Sequence, residues 1–509
     1  MNSKTIARNS LWYGLETGIG LISGIVTSII IGRVLGPVKM GHYTYIAWLV
    51  SISSSVGALG IPAATYKYMA EYLGRGDAPI AKAIFLSTLR LQIRIASLLT
   101  LIAVGIAWFG ADPSMKWTAV ALAAAMWPAM VVAIPSQANM ANENLAANVP
   151  GALVSNLIYI CGVAAAVTFS QDTLGLALTV LTMRTAELLV RIIPVLKRMK
   201  AITSASIPPE IRRRLFMFSR QSTMLLLFSI IVWDRSEVIV LRYCSDIRQL
   251  AFYTVVFNVT ERLRVLPQAF SSATGASMMA QFGRDPKALA ALLSTSIRYL
   301  LLFAVPIHIG LALLCRPVIA LTYGARYIEA VPLLAIASLL ALPKIILMPV
   351  NSLLAAADRQ AISVRLNIWM AILNVGLDFA LIPKWGAMGA VIANGVSQTI
   401  AAVCLCWFAG SALKLQWPLR DLGKMAIVAT MMAASLLALP SSSSQFLDLL
   451  LGIAVGITVY GLGVRLTKVL ADRDGRRLLQ VSSRFPSSLQ VPFARCLQFL
   501  IPNFGSVGL

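Results

Sequence analysis

Apolar runs of about 20 residues recur along the whole chain, each long enough to cross the hydrocarbon core of a bilayer as a helix. We read about 14 of them, at 11–31, 43–61, 86–109, 117–137, 150–169, 174–195, 216–241, 250–273, 297–316, 329–353, 364–383, 386–409, 423–440 and 447–466. Backbone groups in lipid must bond within their own segment, which requires either helices or a closed barrel. Barrel strands would alternate polar and apolar residues over roughly 10-residue stretches, and these runs do not. Composition agrees: 58% of residues are hydrophobic and 12% charged, too few charges to cover a soluble surface. The expected class is an all-α integral membrane protein.

The formal net charge of +23 is distributed by topology. With the N-terminus inside, the inward connections and the two tails hold about 26 Lys and Arg against about 8 in the outward connections, the positive-inside bias. The basic inward stretches are 197–214, 414–424 and 465–495, and the outward stretch 440–448 has no Lys or Arg. The inward stretch 139–148 also has none, so the bias holds on balance. This pattern places both termini in the cytoplasm and the chain in the inner (cytoplasmic) membrane, and it argues against nucleic acid as a partner. The first run is long and lacks a small-residue cleavage site, so it is expected to remain as a helix. Cys161, Cys404 and Cys406 fall inside spans as small apolar fillers, and Cys244 and Cys315 fall near the outward face, where a disulfide is possible but nothing else supports one. With only His42 and His308, and no Cys/His cluster, no metal site is expected.

The longest inward linker divides the spans into a lobe at 1–196, a basic linker at 197–214 and a second lobe at 215–410. Two further spans occupy 411–466, and 467–509 is a cytoplasmic tail. The lobes resemble each other in the same direction. Ile31-Gly-Arg33 followed by Gly41-His-Tyr43 matches Leu241-Arg242 followed by Ala251-Phe-Tyr253, and Leu86-Ser-Thr88 with Arg90 matches Leu293-Ser-Thr295 with Arg298. Outward connections are short, which leaves no room for the external catalytic segment that a membrane glycosyltransferase or polymerase needs. Nucleotide-binding, serine-hydrolase and paired-cysteine motifs are absent from the sequence.

What remains is charge inside the spans, where ionisable groups are costly and turn toward water or each other. Arg184, Glu187 and Arg191 share one face of the sixth span. Arg220, Asp234, Arg235 and Glu237 lie on the seventh, and Glu261, Arg262 and Arg264 fall together midway along the eighth, ahead of Pro267. Lys344 sits between Pro343 and Pro349, and Asn367, Asn374 and Asp378 share a face of the eleventh span. Milder polar faces run through Glu16, Gly20, Ser23 and Thr27, and through Thr44, Trp48, Ser51 and Ser55. Each has a plainer reading: Arg90, Arg191 and Arg298 lie near inner ends, where long side chains reach headgroups, and Glu187 is placed to neutralise Arg184 or Arg191. The serines suit helix packing. Arg262 is about 12 residues from either end of its run, and a guanidinium grips phosphate oxygens at two points.

These residues carry a resemblance. Gly32-Arg-Val-Leu-Gly-Pro37 with Gly41-His-Tyr43, Thr260-Glu-Arg-Leu through Pro267, and Leu381-Ile-Pro-Lys-Trp-Gly-Ala-Met-Gly-Ala390 after Asn374 together resemble the polysaccharide (O-antigen type) flippases, over about residues 5–410. That superfamily also holds multidrug/toxin extruders and the lipid II flippase. The resemblance implies two six-helix lobes closing alternately over a cationic cavity, with cargo on a polyprenyl pyrophosphate. It further implies that Arg262 and Arg33 contact the headgroup. The candidate set is Arg262, Arg264, Glu261, Arg33, Arg184, Lys344 and Asp378. Expected partners are a polyprenyl-pyrophosphate-linked oligosaccharide, membrane lipids and polysaccharide polymerase or ligase machinery. No cofactor or enzymatic step is expected, and coupling would be to protons or sodium. The lipid II flippase carries further arginines in its first two helices, whereas the second span here offers Ser51, Ser53, Ser54 and Ser55, which counts against lipid II as cargo. The alternatives are an extruder of cations, which favours cavity carboxylates, a membrane glycosyltransferase or polymerase, and a scaffold with no transport role.

Overall fold

Gly36, at φ 69° and ψ 174°, breaks the first helix into two limbs, and Pro37 restarts it. The computed structural model describes residues 3–501 except 171, 204, 234–235, 266, 269, 272–273, 276–277, 279–285, 358, 414–416, 441, 471–473 and 476–486. Among the described residues all regular structure is helical. Helix α1 (Ser3–Gly57) thus contains the first two spans, and Leu59 and Gly60, both at positive φ, end its second limb. After them comes α2 (Ile61–Gly74), which buries Ile61, Thr65, Tyr68, Met69 and Tyr72 at helical spacing. The sequence reading ended the second span at residue 61 and treated 62–85 as connection. That stretch is instead α2 and the start of α3 (Ala78–Gly110), whose Asp77 cap accepts from Ile80 N at 3.2 Å. The apolar positions there keep a 3.6-residue period among polar ones, which a test of mean hydropathy passes over.

Helices α4 (Lys116–Ala124) and α5 (Met126–Ala141) form one span, followed by α6 (Val149–Ala165) and α7 (Thr173–Lys200). Lys197, Arg198 and Lys200 fill the last turn of α7, where cations suit the negative end of the helix dipole. Then come α8 (Pro209–Trp233), α9 (Glu237–Cys244) and α10 (Ile247–Leu263). The chain continues with α11 (Pro286–Leu313), α12 (Cys315–Thr322), α13 (Ala330–Ala356), α14 (Gln360–Trp385) and α15 (Ala387–Leu413). It ends with α16 (Leu419–Leu437), α17 (Gln445–Thr467) and α18 (Ser487–Leu500).

Nine segments among the described residues are long and apolar enough to cross a membrane, and one of them, Gly14–Gly57, holds both limbs of α1. The remaining runs coincide with α7, α8, α10 and α16, whose charges set them apart by composition. Outward faces are apolar: on α3, Leu98, Leu101, Ile102, Ile106 and Phe109 are all exposed. No water-soluble surface carries such stripes, and the chain is a multi-pass membrane protein.

Two compact units divide at 255/256, not at the basic linker. The linker lies inside the first unit because α8 lies along α2: Tyr68 Oη donates to Arg214 O at 3.2 Å, and Arg214 pairs with Glu71. In that unit α6 and α5 pack on α7, around Phe85, Met69, Met126 and Ile134. In the second unit α11 packs on α13, α13 on α15 and α16 on α17, around Leu353, Val350, Leu405 and Val428.

Candidate functional site

The last turn of α10 carries Glu261 and Arg262, and a turn at Arg264 follows. Pro267 lacks the N–H that would reach the carbonyl four residues back, which weakens the helix there. Within the second unit the Glu261 carboxylate accepts from Arg264, and on its other oxygen from Lys344 Nζ of α13 at 3.0 Å. Pro343 precedes Lys344 and Pro349 follows it, so α13 lacks two backbone donors around this ammonium. Arg262, next to Glu261 in the chain, is half-buried. Glu261 thus draws together two cations, Arg264 from its own segment and Lys344 from α13. A single carboxylate satisfying two cations leaves them in a geometry that an anion of higher charge can share.

A second polar group of the same unit joins α14 to α15. Asp378 is fully buried and accepts from Asn374 Nδ2 at 3.3 Å, and Ser397 Oγ donates to Asn374 Oδ1 at 2.9 Å. Glu261, Arg264 and Lys344 are thus brought together, whereas Asp378 belongs to this separate group. Ser397 went unremarked in the sequence because a lone serine inside an apolar run carries no signal of its own.

The first unit gathers a different, balanced set. Arg191 Nη2 donates to Glu16 Oε1 at 2.7 Å and reaches Glu187 Oε1 at 2.8 Å, while Nη1 donates to Ser136 Oγ at 2.9 Å. Arg184, half-buried, completes the set by pairing with Glu187 at 2.9 Å. Asn139 donates to Arg191 O and to Asn148 Oδ1, and Asn148 donates to Ser136 O, which fastens the cation-free stretch 139–148 to α7. Gly151 makes the space for this arginine, since a Cβ there would lie 2.6 Å from Arg191 Cγ. Arg33, on the first limb of α1, is exposed.

The headgroup reading of Arg191 and Arg298 is corrected. Arg191 is buried in the network above, and Arg298 pairs with Asp474 at 2.5 Å and Asp421 at 3.5 Å. Both arginines find carboxylates from distant parts of the sequence, so neither needs to reach out to a headgroup. Arg90 is exposed, and Glu187 neutralises both arginines of its helix. Asp234 and Arg235 lie outside the described residues, as does part of the eighth span. Among the described residues no cluster of metal-ligating side chains occurs.

The sequence model of a family described as "Polysaccharide biosynthesis protein" matches residues 6–278. The chain belongs to that family. A curated relative, from Haloferax volcanii, is described as "Probable low-salt glycan biosynthesis flippase Agl15". It is 19% identical over 211 residues, covering 40% of this chain and 45% of the relative, so the chain spans just under half the length of the relative it matches. Among solved structures, the lipid II flippase MurJ in an inward closed conformation superposes with a TM-score of 0.72 at 16% identity, over 90% of this chain and 98% of that one. An inward-facing multidrug resistance MATE family transporter of the MOP superfamily gives 0.66 at 16% identity, over 77% and 94%. A MOP superfamily transporter from Pyrococcus furiosus, described as having a binding pocket of reversed polarity, gives 0.55 at 14% identity, over 81% and 97%. At such identities the likeness establishes the shared helical fold.

Proposed function

We propose that this family member is a flippase that moves a polyprenyl-pyrophosphate-linked oligosaccharide outward across the cytoplasmic membrane for surface polysaccharide assembly. The pairing of Arg264 and Lys344 at Glu261, with Arg262 adjoining Glu261 in the chain, carries the reading, because a pyrophosphate headgroup needs positive charge inside the membrane. The family match and the relative named as a glycan flippase support it. An extruder of cations is the rival, and the balanced Arg191 group with Glu16 and Glu187 is what that reading would use. Transport proceeds by alternating access with no enzymatic step, and proton or sodium coupling drives it. Membrane lipids and the polymerase or ligase that uses the product are its partners. Both termini are cytoplasmic.

Arg262→Ala should abolish or strongly lower surface polysaccharide at unchanged abundance in the membrane. Loss of a charge-assisted phosphate contact weakens binding by roughly 10- to 150-fold. Arg262→Lys should restore only part, since an ammonium lacks the two-point fork. If Arg262→Gln and Glu261→Gln together regain the abundance and transport that each alone loses, Arg262 is a structural counter-ion and the assignment fails.

The topology has its own test. Reporter fusions within 440–448 should read external and fusions at Arg213 internal. An external reading at Arg213 overturns the orientation.

A further inference from the structure

Beyond the last span the chain is held against its own unit rather than trailing from it. Lys468, in the left-handed conformation at φ 50°, turns the chain at the end of α17, and Lys424 Nζ of α16 donates to its carbonyl at 3.0 Å. Val469 and Leu470 are buried in the core of the unit. Asp474, also buried, accepts from Arg298 Nη2 at 2.5 Å and from Tyr299 Oη at 2.6 Å.

Helix α18 then returns to α17, where Arg465 Nη1 donates to Phe499 O at 2.7 Å and the guanidinium lies 5.2 Å from the centre of the Phe499 ring. Ala494, Leu497 and Ile501 are buried along one side of this returning segment. The opposite side, with Val491, Pro492, Arg495 and Phe499, is exposed. Val491, Arg495 and Phe499 follow at four-residue intervals, so one helical face shows two apolar groups around a cation. The α17 residues next to this contact, Leu462 and Leu466, are exposed and apolar as well.

We infer that α18 is a membrane-surface helix that seats on anionic phospholipid in the leaflet where α17 ends. Its apolar face continues the outward apolar surface of α17, which the acyl chains cover in any case. Charge selects the headgroup. Among the described residues around this contact the cations are Arg465, Lys468 and Arg495, the last two exposed, and the one acid there, Asp474, already has its charge taken by Arg298. Exposed cations at the end of a spanning helix and on the amphipathic face of α18 match the requirements for binding an anionic leaflet. The inference is independent of the cargo.

The test uses the full chain with its native cysteines replaced and a nitroxide at Val491→Cys, in nanodiscs of phosphatidylcholine alone or with phosphatidylglycerol. With phosphatidylglycerol the label should become accessible to oxygen and shielded from a water-soluble nickel chelate. Neutralising Lys468 or Arg495 to Gln should lower the ratio of seated to unseated helix about five-fold for each residue. Three outcomes overturn the inference. One is a label equally open to the nickel chelate in both lipids, and another is equal seating in both, which would make the contact purely apolar. The third is dipolar broadening confined to discs that hold two chains, which would make a second copy the occupant.

Discussion

Arg191→Ala should lower the stability of the first unit by about 3–5 kcal/mol, the cost of leaving buried charges without their partner. The guanidinium holds Glu16 of α1, Glu187 of α7 and Ser136 of α5 at once, and its own carbonyl holds Asn139. Its removal strands Glu16 and leaves Glu187 only Arg184, which is more open to solvent. The measurement is the midpoint of thermal unfolding in detergent, together with abundance in the membrane. Arg191→Lys should recover less than half of the loss, because one ammonium cannot span two carboxylates and a hydroxyl in a planar arrangement. Arg90→Ala, at an exposed position, should have little effect. A midpoint for Arg191→Ala equal to that of the parent would show the network to be dispensable.

The second large effect is steric. Gly60 stands at φ 61°, and a Cβ there would lie 2.5 Å from Ser219 O and 2.7 Å from Ser222 Cβ of α8. Gly60→Val should therefore combine a left-handed backbone penalty of about 1–2 kcal/mol with an overpacking cost of about 1–3 kcal/mol. Gly76 separates the two contributions: its φ is also positive, at 79°, but no atom lies within 4 Å of the added Cβ. Gly76→Val should show only the backbone penalty. Equal losses at both positions would mean that the approach of α8 to this joint is not tight.

Much of the architecture was legible because a bilayer imposes a length and a hydropathy that apolar runs display directly. The separation of the first two spans around Gly36–Pro37 was legible in this way, whereas the cap at Asp77 lay in a stretch read as connection. Charge pairing was harder to read. The partners of Arg191 and Arg298 lie 175 and 176 residues away, at Glu16 and Asp474, and no local spacing links them. Asp474 in particular stood with Asp472 in a basic tail, where two acids look like dilution rather than an anchor. The neighbours Glu261 and Arg264 were legible at i and i+3, but the arrival of Lys344 from α13 required the fold.

The outward stripe of α3 has a consequence for the membrane itself. Arg90 and Arg94 are exposed one turn apart on the face that also shows Leu98 and Leu101. From Ile95 to Gly110 there remain 16 residues, which rise about 24 Å, some 6 Å less than an ordinary hydrocarbon core of about 30 Å. The two arginines can recover part of that shortfall by extending along the helix to the headgroups, and tilting would only shorten its reach. With those arginines at the headgroups, α3 would match a thinner bilayer than the ordinary one, and the protein should be more stable in lipids with shorter chains.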